Sequence, residues 1–110
     1  MIRIAVDAMG GDYAPNEQIE GVKLALKKIA DIEIILYGDE AIMKPLFLVQ
    51  YRITFVHAPY AIPMGEKNPI QAIKANKESS SMARALSSLR NDEADAVVSS
   101  GATQALIAGA

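Results

Sequence analysis

The sequence predicts an open α/β fold, a parallel sheet with helices on both faces. Short apolar segments typical of strands alternate along the 110 residues with segments whose apolar residues recur at helical spacing. This alternation is typical of βαβ units, because parallel strands need a long crossover connection. No internal repeat or heptad pattern is present, which disfavours a solenoid or a coiled coil. We therefore expect one α/β domain over residues 1–110.

Four segments have the composition of buried strands. They cover residues 2–6, 32–37, 52–57 and 95–99. In the first, Ile2, Ile4 and Val6 alternate around Ala5, and the strand leads directly into Gly10 and a second glycine. Such a glycine turn between a strand and a helix leaves backbone N–H groups free to hold an anion.

The first helix is predicted between the first two strands, beginning at Pro15. Proline suits a first helical position, because its missing N–H would have no intrahelical partner there. The apolar residues at helical spacing are Ile19, Val22, Leu26 and Ile29, and the lysines left for solvent are Lys23, Lys27 and Lys28. A weaker helix is predicted over residues 40–48, where Pro45 must lie in the first turn or break the helix.

The second half of the chain contains a long irregular segment and two further helices. Residues 58–68 carry two prolines and a glycine, and Pro69 can begin a helix through Ile70 and Ile73. One of the serines at 79–81 is expected to be the N-cap of the next helix, whose apolar positions are Met82, Leu86 and Leu89.

Composition excludes several classes of function. The formal charge of −2 and the pI near 5.3 disfavour nucleic-acid binding. The chain has no cysteine, which excludes disulfides and thiolate chemistry and favours the cytoplasm. No apolar run approaches the roughly 20 residues that span a bilayer, and the first residues lack the layout of a signal peptide.

The candidate binding site lies in the loops after the first and fourth strands. In an open parallel sheet, ligands bind outside the carboxyl ends of the strands. The predicted phosphate-binding residues are Gly10, Gly11, Ser100, Gly101 and Thr103, with Asp12 and Ser99 in the same loops. The alternative is that these residues only turn the chain and cap helices. Neither GxGxxG nor GxxxxGK[ST] occurs, so a nucleotide cofactor is not expected.

Few side chains offer acid–base chemistry. Asp7 and Asp12 flank the glycine loop and could orient a ligand or hold a metal, although turn and N-cap roles are commoner, and no metal site is predicted. His57 ends the third strand and is a candidate acid or base, with strand capping as the alternative. The candidate cations for a charged ligand or carrier are Lys74, Lys77 and Arg84, and the two lysines equally suit a solvated helix face.

Four segments carry a family resemblance. They are DAMGGD at 7–12 followed by Ala14-Pro15, ILYGD at 35–39, SSM at 80–82 and ADAVVSSGAT at 94–103. Together and in this order they resemble the bacterial phosphate acyltransferases of phospholipid synthesis. The resemblance implies transfer of a fatty acyl group from acyl carrier protein to inorganic phosphate, with no cofactor. It also implies a homodimer and a Rossmann-like open parallel sheet, similar to the fold of the isocitrate and isopropylmalate dehydrogenases.

The match covers only the N-terminal part of the family's length. We therefore expect this chain to be a piece of a longer protein, with any membrane-contacting surface in residues outside it. Two residues depart from the family's pattern: Ala102 and Gln104 stand where an asparagine and a glycine are typical, and Glu66 is the one acid retained from an acidic run. These departures favour the alternative of a non-catalytic module that binds a phosphorylated ligand or acyl carrier protein. A dehydrogenase is disfavoured, because no nicotinamide site is recognisable.

Overall fold

A single four-stranded parallel sheet organises the computed structural model, which describes residues 1–10, 15–48, 51–61, 68, 71 and 80–99. The strands are β1 (Ile2–Asp7), β2 (Ile32–Gly38), β3 (Ile53–His57) and β4 (Ala96–Val98). Each predicted strand is confirmed to within one residue at either end. The α/β class is likewise confirmed, while the closer similarity to the dehydrogenases stays a prediction.

The strand order, β3-β2-β1-β4, determines where the loops meet. The chain runs outward from β1 through β2 to β3 and then returns to the other side of β1. Val6 pairs with Leu36 of β2 on one side and with Val98 of β4 on the other. The carboxyl ends of β1 and β4 therefore lie side by side at the switch point, where the strand order reverses and open α/β sheets bind ligands.

Three helices accompany the sheet in the described part of the chain. They are α1 (Asn16–Lys28), α2 (Glu40–Met43) and α3 (Ser81–Arg90). The prediction of one helix over residues 40–48 was wrong in extent, because α2 ends at Met43 and a 3-10 turn, Lys44–Leu46, follows. Pro45 lies at the start of that turn, where it lacks the N–H that would continue an α-helix. Most of the helix predicted after Pro69 lies outside the described residues.

Helices cover both faces of the sheet, as predicted, because successive residues of β1 point to opposite sides. On one face Val6 packs in a core with Ile19 and Val22 of α1. On the other, Ala5 packs with Ala85 of α3, and both are fully buried. Ile29, predicted to continue the apolar spacing of the first helix, lies just beyond the end of α1 and is 46% exposed.

Arg52 immediately precedes β3, at the end of the sheet opposite the switch point. Its backbone has a positive φ of 62°, unusual for a residue with a side chain. Its guanidinium donates to the carbonyl oxygens of Leu26, Ile29, Ala30 and Ile32 at 2.6–3.0 Å. A cation therefore satisfies carbonyls at the C-terminal end of α1, where the helix dipole favours positive charge.

Candidate functional site

The carboxylate of Asp7 lies at the carboxyl end of β1, with its residue only 1% exposed. Its Oδ1 accepts hydrogen bonds from the backbone N–H groups of Met9 and Gly10, both at 3.1 Å, and from the hydroxyl of Ser81. Its Oδ2 accepts a 2.8 Å bond from the hydroxyl of Ser99. One buried side chain therefore joins the loop after β1, the first turn of α3 and the residue after β4.

The local sequence explains the two backbone bonds. An aspartate at the start of a turn accepts from N–H groups two and three residues later, which bends the chain back over the end of the strand. Burying a carboxylate is costly unless its oxygens are hydrogen-bonded, and a carboxylate offers acceptors only. The four donors around Asp7 meet that need.

Ser80 and Ser81, at the start of α3, have different roles. Ser80 is the N-cap, and its Oγ accepts the N–H of Ala83 at 3.2 Å, which confirms the prediction of a serine cap. The N–H of Ser81 donates to the carbonyl of Tyr60 at 3.1 Å, and its hydroxyl donates to Asp7. Both serines are buried. The second serine thus fixes the start of α3 to the end of β1.

The sheet register brings Ser99 to Asp7. Val6 and Val98 are paired across β1 and β4. The residues that follow them in the chain, Asp7 and Ser99, are therefore neighbours at the carboxyl ends of the two strands. The sequence placed Ser99 and the β1 loop in one candidate pocket, and these two segments do meet. Among the described residues, they meet through a carboxylate and a hydroxyl.

The backbone of Gly10 is engaged by the protein on both sides. Its N–H donates to Asp7 and its carbonyl accepts from the amide nitrogen of Gln18 on α1. The predicted phosphate contact of Gly10 stays a prediction, and its amide would first have to leave Asp7. The remaining predicted phosphate-binding residues, Gly11, Ser100, Gly101 and Thr103, lie outside the described residues, as do Asp12, Lys74 and Lys77.

Arg84 is the predicted carrier-contacting cation that the structure describes. It is half-buried in the first turn of α3, and its backbone N–H donates to the carbonyl of Ser80 at 3.0 Å. The same turn presents Ser81 to Asp7, so Arg84 is tied through the helix backbone to the end of β1. Its contact with a carrier stays a prediction.

His57 lies on the outer strand β3, separated from β1 by β2. The side chain is exposed, and its Nδ1 accepts the N–H of Glu40 at 3.2 Å, at the start of α2. With Nδ1 accepting, a neutral ring carries its proton on Nε2. The imidazole therefore has a definite structural role, and its predicted acid–base role stays a prediction.

An apolar groove of about 390 Å³ runs between α1 and the sheet, next to β4. Val98, 55% exposed, lines one wall. Gly21 and Ala25 of α1 also line it, and a Cβ added at Gly21 would meet nothing within 4 Å. Small residues on α1 thus leave the α1 side of β4 open.

The described residues contain neither a cluster of metal ligands nor a helix that could span a membrane. No group of three histidine, cysteine, aspartate or glutamate side chains comes together there as a metal site would need. Nor does any helix in that part of the chain have the length and apolar character to cross a bilayer.

Sequence reasoning singled out Asp7 only as one of two loop carboxylates and did not find its bond to Ser81. An aspartate closing an apolar strand before a glycine pair does indicate a turn-forming side chain. Nothing local, however, relates Asp7 to a serine 74 positions later. That contact depends on which face of the sheet α3 covers.

Comparison with known proteins places the chain in a family. The family model described as "Fatty acid synthesis protein" matches residues 2–110. A phosphate acyltransferase of Streptococcus pneumoniae (strain ATCC 700669 / Spain 23F-1) is 47% identical over 108 residues, covering 98% of this chain and 32% of that protein. Phosphate acyltransferases of the Hungary19A-6 and CGSP14 strains are 46% identical over the same coverage. The chain spans about a third of the length of these relatives. Because these matches cover almost the whole chain, this chain belongs to the fatty acid synthesis protein family, and the phosphate acyltransferases are its relatives.

Proposed function

We propose that this protein transfers a fatty acyl group from acyl carrier protein to inorganic phosphate, forming an acyl phosphate for phospholipid synthesis. Membership of a family with phosphate acyltransferases supports an acyl transfer of this kind. The main support for this choice of site is the hydrogen bond between Ser99 and Asp7, because it joins the ends of β1 and β4 at the switch point of the sheet.

The proposed chemistry is a direct displacement. A phosphate oxygen attacks the thioester carbonyl carbon, a C–O bond forms, the C–S bond breaks, and the carrier leaves as its thiolate. The main task of the protein is orientation, which in well-aligned reactions removes roughly 7–11 kcal/mol of barrier. A hydrogen-bond donor to the thioester oxyanion adds to this. Asp12 and His57 are the candidate acid–base groups.

The hydrogen bonds to Asp7 occupy several donors that phosphate could otherwise use. The amides of Met9 and Gly10 and the hydroxyl protons of Ser81 and Ser99 are directed to the carboxylate. We therefore propose that phosphate is held by the residues that follow in each loop. These are Gly11 after β1 and Ser100, Gly101 and Thr103 after β4.

Three further properties belong to this proposal. Lys74, Lys77 and Arg84 contact acyl carrier protein, and their positive charges pair with acidic groups of the carrier. The protein acts as a homodimer in the cytoplasm, with membrane contact through residues outside this chain. Charge reversal of Arg84 tests the first property, sedimentation the second, and flotation with anionic vesicles the third.

The test of function uses the full-length protein and acyl carrier protein loaded with a fatty acid. We expect phosphate-dependent release of free carrier thiol, with the acyl phosphate detected by phosphorus NMR. Replacing Gly11 or Gly101 by valine should reduce release at least tenfold. Gly21→Ala is the control, because that glycine faces open space on α1. Release that does not depend on phosphate, or that survives both valine substitutions unchanged, refutes the proposal.

The second candidate is a binding module without catalysis, favoured by Ala102 and Gln104 in place of the family's asparagine and glycine. Calorimetry with inorganic phosphate separates the two candidates. A module binds phosphate or the carrier but releases no thiol over any length of assay.

A further inference from the structure

We propose that Asp7 is a positioning residue of the acyl-transfer site, acting through the loop after β1, the residue after β4 and the first turn of α3. The proposal rests on the function proposed above. In this proposal Asp7 does not contact substrate. It determines which hydrogen-bonding groups at the carboxyl ends of the strands face phosphate, and where those groups lie.

The first step is the cost of this arrangement. Asp7 is 1% exposed, and Ala5 and Ala8, which flank it in the chain at two residues before and one residue after, have no exposed surface. All four hydrogen bonds described for its carboxylate come from neutral donors. Buried ionic groups are expensive, and apolar residues of similar volume often stabilise a fold as well or better. A costly group at the ligand-binding edge of an open sheet therefore indicates a role beyond stability.

Second, the Asp7 carboxylate determines the direction in which the neighbouring serine hydroxyls point. Because a carboxylate can only accept, Ser81 and Ser99 must both direct their hydroxyl protons toward it. Their oxygens can then offer only lone pairs elsewhere, which repel a phosphate oxygen. Asp7 thus prevents phosphate from binding to these two hydroxyls. Phosphate binds instead to hydrogen-bond donors further along the two loops.

The third step is the effect of changing one atom. In Asp7→Asn, the side-chain oxygen can still accept from Met9, Gly10 and Ser81, but the other position becomes an NH₂ donor. Ser99 must then turn its hydroxyl to accept, and its proton is released toward the site. The loops keep most of their bonds while the link between β1 and β4 is reversed, and small misplacements of reacting groups can lower rates about 100-fold.

The experiment measures steady-state kinetics of the full-length protein with Asp7→Asn, Ser99→Ala and Ser99→Thr. We expect Asp7→Asn and Ser99→Ala to raise the KM for phosphate at least tenfold, with the KM for acylated carrier within twofold of the unmodified protein. Ser99→Thr keeps a hydroxyl at the same position and should restore most of the lost affinity. This split between substrates is a readout that a general loss of stability would not produce.

Matched controls are available in the same chain. Ser88 is also buried in α3, but its hydroxyl donates to the carbonyl of Ala85 at 2.7 Å within the helix. Asp95 lies at the opposite end of the sheet, where it pairs with Arg3. Ser88→Ala and Asp95→Asn should leave both KM values unchanged.

Several outcomes overturn the proposal. Unchanged KM and kcat in folded Asp7→Asn and Ser99→Ala would show that the hydrogen bonds are only structural, as would lower melting temperatures with normal kinetics per folded molecule. A lower KM for phosphate in Asp7→Asn would show that the carboxylate repels the anion instead of placing its donors. If the unmodified protein shows no phosphate-dependent transfer, the proposed function fails and this inference with it. Should Asp7→Asn not fold, the comparison of Ser99→Ala with Ser99→Thr decides.

Discussion

Ser99 donates a 2.8 Å hydrogen bond to Asp7 across 92 positions of the chain. The two residues follow Val98 and Val6, which are paired in neighbouring parallel strands. The bond joins the ends of β1 and β4, the neighbouring strands between which the strand order reverses. It therefore fixes the edge of the sheet at the place where this class of fold binds ligands.

Removing the hydroxyl of Ser81 should destabilise the protein more than removing that of Ser88. Ser81→Ala leaves a buried carboxylate short of one donor, which costs about 1–3 kcal/mol. The hydroxyl of Ser88 donates to a backbone carbonyl within its own helix, and alanine is the better helix former, so Ser88→Ala should be neutral within about 0.5 kcal/mol. Urea unfolding of both variants measures the difference. Equal losses would mean that the Ser81 bond adds little to stability.

Arg52 should be a stabilising residue that lysine cannot replace. Arg52→Ala removes four contacts to carbonyls around the end of α1 and should lower the free energy of unfolding by about 2–3 kcal/mol. Lysine offers one compact charge instead of a planar fork, so Arg52→Lys should recover less than half of the loss. Arg90→Ala, an exposed position on α3, is the control. Full recovery by lysine would argue for charge alone.

Alanine should have opposite effects at two glycines. A Cβ at Gly21 on α1 meets nothing within 4 Å, so Gly21→Ala should stabilise by about 0.5–1 kcal/mol through helix propensity. A Cβ at Gly38 would lie 2.8 Å from the sulfur of Met43 and 3.2 Å from the Cβ of Ala8. Gly38→Ala should therefore destabilise by about 1–3 kcal/mol through overpacking. Thermal unfolding of the two variants decides, and a shift of the same sign in both would contradict this account.

Asp95 should contribute to stability in a pH-dependent way. The backbone N–H of Arg3 donates to its carboxylate at 2.8 Å and the guanidinium is 3.4 Å away, which holds the pKa of Asp95 below 3.8, the ordinary value for aspartate. A pKa lowered by folding adds stability above the unfolded pKa, and that stability is lost as the pH falls through the folded pKa. NMR titration should give this pKa directly. In Asp95→Asn the acid-side loss of stability should be smaller, and an unchanged acid profile would contradict the assignment.

The limits of local sequence patterns are clearest at α2. One helix was predicted over residues 40–48 unless Pro45 broke it, and the structure has a short α-helix followed by a 3-10 turn that contains Pro45. By contrast, the serine run before α3 gave its cap correctly, because N-capping involves only residues three positions apart. His57 was recognised at the end of β3, yet its bond to Glu40 depends on how the β2–α2 loop folds beside it.

The sequence alone determined the strands, the main helices and the edge of the sheet where the loops after β1 and β4 would lie. These features follow from the periodicity of apolar residues and from turn and cap chemistry, which are local. Only the tertiary structure decided that Asp7 accepts from Ser81 and Ser99, and that Arg52 closes the end of α1. Those contacts join residues 20 to 92 positions apart, so they depend on strand order and on the face that each helix covers.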